Sequence, residues 1–466
     1  MPQKNFFSKL LQRWSETTKP IKARPFFSAS QSLLGLFLLC FPFQIRTLIY
    51  TNHLYINGNF NPFTSFFIYL NDLLLIASFC CWGVSLIFEP QYSVLENTKR
   101  RMNYGDKKIT WSLFLILVVL LFNTIFVENK TLHLLNVFRF SELFLLYLLI
   151  VHNVLRRKTT LLLFIASMSF QALIAIFQYL FQHSLGLRIL GESIASPETL
   201  GVAKIDLGGH KILRALGTFP HANILGGALS LGIIIVLLAF PKNWWIKGPC
   251  LVLFGIAFIF SFSRSAFFGL LACFLMFVVL KAHKKIPWRS IIVILSIALL
   301  LIVSLKLEKP IIQRLLFEDQ TSTQERILYM EISQKMITTQ PWGIGLGGFT
   351  NTMQKYSEIK LEPWMYQPVH NIFLLFSNEG GVEEGVLLIV VFIYIFYKFI
   401  QLKLSHREDS FFLGLIIIIA TIGLVDHYFI SLYPGQIMLF LTLGISSDVI
   451  AKATSRDFLS KKHRSA

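Results

Sequence analysis

The sequence predicts an all-α, polytopic transmembrane helical bundle of about 12 spans with a long outer loop, and three observations carry that prediction. Of 466 residues, 54% are hydrophobic and only 15% are charged, against roughly a quarter charged in soluble domains. The apolar residues gather into runs of about 20, the length at which a helix crosses ~30 Å of hydrocarbon. Only helices or closed barrels satisfy the backbone in lipid, and runs this long and uniformly apolar are helical. Finally, the basic residues sit between the runs and alternate along the chain, which gives the bundle a direction.

Spans are placed near 31–50, 64–88, 110–127, 132–152, 160–182, 219–240, 247–262, 265–281, 289–305, 369–400, 410–429 and 433–450. The chain then divides into a basic amphipathic segment (1–30), spans one to nine (31–305), an outer loop domain (306–368), spans ten to twelve (369–450) and a basic tail (451–466). With the N-terminus inside, every inner segment is basic, from Lys4, Lys9 and Arg13 to Lys461, Lys462 and Arg464, while the outer hairpin at 51–63 has no basic residue. The expected location is therefore the inner membrane, multi-pass, with both termini cytoplasmic. The net charge of +18 does not indicate nucleic acid, because its lysines and arginines are spread between spans. The N-terminus lacks a small-residue cleavage site and reads as a surface segment. Cys40, Cys80, Cys81, Cys250 and Cys273 all fall in spans, with no zinc-site spacing and no disulfide expected.

Two outer segments, 183–218 and 306–368, are longer than hairpins need. The second has as many acidic as basic residues, so it is a water-facing structure rather than a topogenic signal. Within it, Ser322 and Glu325 have capping-box spacing. Ile327, Leu328, Ile332, Met336 and Ile337 follow at near-helical spacing, and Pro341 ends the run.

Ionisable groups inside spans are costly and therefore informative. Asp72, Arg139 and Glu142 fall at similar depth, and two readings stand: a buried ion pair or triplet, or an outward cavity whose guanidinium suits an anionic head group. Ser261-Phe262-Ser263-Arg264-Ser265 turns between two spans without Gly, Pro or Asn. It offers donors suited to phosphate oxygens, or an arginine snorkelling to lipid. Arg214 precedes Gly217-Thr218-Phe219-Pro220-His221-Ala222-Asn223, where Gly217 and Pro220 start a helix near which His221 and Asn223 lie. His221 there is either a cap or a site residue. His370-Asn371 opens the tenth span, whose helix dipole favours a neutral imidazole. Glu379-Gly380-Gly381 and Gly385 are expected to break or tilt that helix and bring His370 over a cavity. Gly343 to Gly348 (GIGLGG) follows a helix and a proline rather than a strand, so it reads as a tight loop, not a dinucleotide site. The sequon at Asn129 is assigned nothing.

Taken together, these residues resemble the O-antigen ligase/polymerase family of bacterial membrane glycosyltransferases. The resemblance rests on the ordered set GTFPHAN, SFSRSAFFG, the stretch from Arg326 through QPWGIGLGGF, and HN followed by EGG and a further glycine. It covers residues 210–400 specifically and the earlier spans only in topology. It implies a fold similar to C-type glycosyltransferases and metal-independent, inverting transfer from a glycan on undecaprenyl diphosphate, with no cofactor and no metal. The acceptor is the hydroxyl of a glycolipid or a growing polysaccharide, and membrane lipids are the remaining partners. Carried over motif by motif, His370 is the catalytic residue and Arg264, Arg326, Arg139 and Arg214 bind the diphosphate. Ser263, Asn371, His221 and Asn223 support them. The acidic EGGVEEG stretch departs from the family's usual glycine-and-apolar pattern, which bears on the acceptor rather than the class.

Ligation onto a lipid core is the first expectation. Polymerisation and transfer to protein share the same motifs. A secondary transporter or flippase is the alternative of another class, since Asp72, Arg139 and Glu142 would also suit an ion-coupled site. The clustering of candidate chemistry on one side argues against it.

Overall fold

The computed structural model describes residues 24–52, 55–56, 59–89, 105–207, 210–240, 243–281, 320–401 and 407–464. The first 23 residues, the ninth span expected at 289–305 and the outer loop up to residue 319 lie outside the described residues.

The chain is a helical membrane protein. Helix α1 (Pro25–Cys40) leads through strand β1 (Arg46–Thr51), the short strands β2 (Tyr55–Ile56) and β3 (Asn59–Phe60) and β4 (Ser65–Tyr69) into α2 (Leu70–Phe88). Next come α3 (Lys107–Asn123), α4 (Lys130–Val151), α5 (Arg157–Phe181), the hairpin β5 (Lys204–Leu207) and β6 (His210–Leu213), α6 (Ala222–Ala239), α7 (Trp244–Ser261) and α8 (Arg264–Lys281). The helices of the long loop are α9 (Gln320–Thr339) and α10 (Phe349–Tyr356). The chain closes with α11 (Ile372–Glu379), α12 (Val382–Gln401), α13 (Arg407–Gly423), α14 (Tyr428–Ser431) and α15 (Tyr433–Arg464). Among the described residues, six helices are long and apolar enough to cross a membrane: α2, α4, α5, α6, α7 and α15. Helices α1, α8 and α13 have shorter apolar stretches.

Two differences from the expected spans have clear causes. The first span does not reach residue 50. Pro42 follows the end of α1, and Arg46–Thr51 then pairs antiparallel with Ser65–Tyr69, because β-branched and aromatic residues such as Thr47, Ile49 and Tyr50 suit a strand. The eleventh span stops at Gly423, six residues early, and the next residues form a turn carrying Asp426 and His427. The expected break in the tenth span is present: Gly380 and Gly381 separate α11 from α12, with Gly381 at φ +127°. A side chain there would strain the backbone.

Capping side chains fix where several helices begin. Asp106 accepts from the amides of Lys108 (3.0 Å) and Ile109 (3.3 Å) at α3. Asn129, the sequon asparagine, caps α4 through Leu132 N (3.0 Å). Each cap satisfies amides that the helix itself cannot. Helix α6 is the central span, packed against α5, α7, α8 and α13. Its glycines permit this: a Cβ at Gly227 would lie 2.0 Å from the Tyr428 hydroxyl, the close approach that small residues give membrane helices. The outer belt is apolar, with Trp245 and Ile87 turned outward, as a lipid-facing surface requires.

The bundle has two unlike ends. At one, the β1–β4 hairpin, the 183–218 segment and α9 to α11 gather, joined by contacts such as Asn61 Nδ2 to Tyr366 O (2.8 Å). The GIGLGG loop docks there on the α11–α12 break: Ile344 N and Gly345 N donate to Asn378 O and Glu379 O, each at 2.9 Å. The Glu379 carboxylate accepts from Gly347 N (2.9 Å) and Phe349 N (3.1 Å). This tight loop walls a cavity of ≈ 90 Å³ shared with Asn136, Glu379, Ser431 and Gln436. At the other end, Asp448 pairs with Arg157 and Lys452, which ties α15 to α5.

Candidate active site

The site assembles at the long-loop end from segments far apart in sequence. The α7–α8 turn supplies one wall. Phe262 sits at φ +46°, left-handed and costly for a bulky residue, of order 1–2 kcal/mol. It reverses the chain so tightly that Arg264 opens α8 two residues later. Such conformations persist where the surroundings over-determine them, often at functional sites. Ser263 Oγ lies 3.3 Å from Ser265 Oγ, and Ser265 Oγ donates to Asp426 Oδ2 at 3.4 Å.

The segment before α6 supplies the second wall. Arg214 is buried; its Nε donates to Ser261 O (2.8 Å) and its Nη2 to Asn223 Oδ1 (2.6 Å). Asn223 Nδ2 in turn donates to Asp426 Oδ2 (2.9 Å). The amide thus stands between a guanidinium and a carboxylate, polarised by both. His221 is the N-cap of α6, its Nδ1 accepting from Asn223 N at 3.1 Å. That geometry needs an unprotonated Nδ1. Burial first, then the Arg214 charge, hold the imidazole down at about 3, against the pull of Asp426.

The third wall is imidazole and aromatic. His370 precedes α11, which Asn371 caps by accepting from Phe373 N (2.9 Å) and Leu374 N (3.0 Å). The His370 ring meets that of His427 edge-on, centroids 4.9 Å apart at 85°, and lies parallel to that of Tyr329, 5.9 Å away at 7°. His427 Nδ1 is 2.6 Å from Ser431 Oγ, and the His427 amide donates to Asp426 Oδ1 at 2.9 Å. Burial is the main cause that lowers the pKa of His370; Asp426 opposes it and the Arg326 charge adds to it. Burial, His370 and Arg326 likewise hold His427 well below the ordinary imidazole range. Arg326, on α9, therefore lies within electrostatic reach of both rings. Nδ1 of His370 and the hydroxyls of Tyr329 and Tyr428 are buried without a hydrogen-bond partner.

The structure therefore brings His370, Asn371, Arg326, Arg214, His221, Asn223, Ser263 and Arg264 to one end of the bundle. Arg139 is bound elsewhere. Its guanidinium pairs with Asp72, lies 3.7 Å from Glu142 and donates to Phe67 O at 2.6 Å. The Tyr433 ring stacks 4.1 Å from it. Of the two readings open in the sequence, the structure contains the buried ion triplet.

The sequence reading did not single out Asp426, His427, Tyr329 or Ser431. For the first two a signal was there. An acid and a histidine side by side within an otherwise apolar stretch meet the same rule that drew attention to Asp72; drawing that span through to residue 429 hid them. Among the described residues, no three His, Cys, Asp or Glu side chains are grouped to hold a metal ion.

Compared with known proteins, residues 249–393 match the family model described as O-antigen ligase. The match runs from α7 into α12, includes Arg264, Arg326, His370 and Asn371, and bears out the resemblance to that family. No curated protein matches the chain.

Proposed function

We propose that this chain, with the O-antigen ligase match over residues 249–393, is a glycosyltransferase of the non-cytoplasmic membrane face. It moves a glycan from undecaprenyl diphosphate to an acceptor hydroxyl, with ligation onto a lipid core as the specific reaction. The observation that carries the reading is the convergence of a neutral imidazole, His370, with guanidinium-bearing segments that the sequence separates by more than a hundred residues (Arg214, Arg326).

In the reaction, His370 accepts the proton of the acceptor hydroxyl as that oxygen bonds to the anomeric carbon. The bond from that carbon to the phosphate oxygen breaks, its electron pair leaves on the diphosphate, and the anomeric configuration inverts. Arg264 and Arg326 stabilise the growing negative charge, which a planar, permanently charged fork does at any physiological pH. Arg214 acts with Asn223, which it holds toward Asp426. Arg139, engaged by Asp72 and Glu142, shapes the bundle beneath the site rather than gripping the diphosphate. The α9-bearing loop covers the donor and limits its hydrolysis.

The test uses purified protein, lipid-diphosphate glycan and acceptor. Arg264→Ala is expected to cut turnover by about a hundredfold or more, the scale of losing one electrostatic stabiliser, and a chelator is expected to leave turnover intact. Full activity in Arg264→Ala, or inactivation by chelator, would contradict the scheme. In a deletion strain, long polymer left on the carrier indicates ligation, whereas accumulation of a single repeat indicates polymerisation.

A further inference from the structure

Tyr329 occupies an unusual position. It lies on α9 three residues after Arg326, a spacing that puts both on one helix face. It is 1% exposed and packs with Ile332, Phe349 and Val369. Its ring runs parallel to that of His370. Yet its hydroxyl, buried among these groups, makes no hydrogen bond. Buried phenols ordinarily find a partner, and a native group that lacks one calls for an explanation. His370 Nδ1 is also buried and without a partner. An unpartnered phenol hydroxyl and an unpartnered ring nitrogen therefore lie on two parallel rings whose centroids are 5.9 Å apart. A ligand that offers an acceptor to one and a donor to the other would satisfy both at once.

The geometry points to Tyr329 as a substrate-binding residue whose hydroxyl donates to an oxygen of a prenyl diphosphate, beside the charge of Arg326 on the same helix face. The assignment rests on the function proposed above, in which His370 takes the proton of the acceptor hydroxyl. Burial, with a smaller contribution from Glu325, raises the pKa of the phenol, so it remains a donor throughout the working pH range. Because α9 belongs to the outer loop, a bound diphosphate would also tie that loop to His370 and the bundle below.

The substitution that isolates the hydroxyl is Tyr329→Phe, which keeps the ring on His370. The unliganded variant should melt at the wild-type temperature, because no internal hydrogen bond is lost. Its affinity for farnesyl diphosphate, measured by calorimetry in detergent, should fall about tenfold or more, as expected for one hydrogen bond to a charged acceptor. Binding of farnesol should be unchanged by the substitution. Wild-type affinity for farnesyl diphosphate in Tyr329→Phe would overturn the assignment and leave the proposed function standing. A lower melting temperature of the unliganded variant would also overturn it, since the hydroxyl would then serve the fold. Folded wild-type protein that does not bind farnesyl diphosphate would overturn both the assignment and the proposed function.

Discussion

Two buried polar clusters hold this bundle together, and they are completed in different ways. In the first, Arg139 meets Asp72, Glu142 and Phe67 O, and Tyr433 donates to Glu142 Oε1 at 3.0 Å. Its cation is answered by carboxylates on α2 and α4. In the second, at the long-loop end, Asn223 separates Arg214 from Asp426, two imidazoles stay neutral beside Arg326, and His370 Nδ1 and Tyr329 Oη lack partners. In the first cluster the cation is paired, and Glu142 Oε2, which accepts no hydrogen bond, lies 3.7 Å from the guanidinium. In the second, a ring nitrogen and a phenol hydroxyl are left without partners on two parallel rings. Buried charge alone therefore does not mark a site in a membrane bundle, since the Arg139 cation is answered by carboxylates of the bundle itself.

The contrast can be broken most forcefully at Arg139. Arg139→Leu leaves Asp72 and Glu142 buried without their cation, and should cost about 3–5 kcal/mol of stability. Thermal denaturation in detergent measures it, and a wild-type melting temperature would show that the triplet contributes nothing to the fold. His370→Ala should do the opposite, removing a group whose Nδ1 bonds to nothing. Turnover is expected to fall about a hundredfold or more with the melting temperature nearly unchanged.

Asn223 lies between these extremes. Asn223→Leu removes the amide that bridges Arg214 and Asp426, and should cost about 1–3 kcal/mol together with a loss of turnover. A variant that loses stability but keeps full turnover would detach this bridge from the reaction.

The smallest effect is at His221. Its folded pKa lies near 3, below the ~6.5 of an unfolded chain, so neutral His221 contributes stability that is present above pH 6.5. That contribution is lost as pH falls from 6.5 toward 3, because only the unfolded chain takes up the proton in that window. His221→Asn keeps an N-cap and should flatten the acid limb of melting temperature against pH. An unchanged limb would assign the effect to another group. The lowered pKa of His370 predicts that turnover persists to below pH 6.5 before its base is protonated.

Much of this was legible from the residues. Run length gave the helices, Gly380-Gly381 the broken tenth span, and the apolar spacing from Ile327 to Ile337 ahead of Pro341 the loop helix, which begins at Gln320, before the start expected at Ser322. The β1–β4 hairpin was not, because Leu48 to Tyr50 extend the apolar run past Arg46 and Thr47, and periodicity cannot separate a short strand from the end of a helix. Arg139 was ambiguous for a different reason. A guanidinium within a span reads the same whether its face meets a carboxylate or a cavity, and only the packing of α2 against α4 decides. Asp426 and His427 were in view but lay within a span drawn six residues too long. Tyr329 carried no signal at all, since its significance is an absent hydrogen bond, which only three-dimensional contacts reveal.

The most direct test of the account is turnover by purified His370→Ala with lipid-diphosphate glycan and acceptor, beside its melting temperature. The account predicts a fold as stable as wild type with transfer reduced by about a hundredfold or more. Transfer at the wild-type rate from an equally stable variant would contradict it and leave the long-loop cluster without a catalytic base.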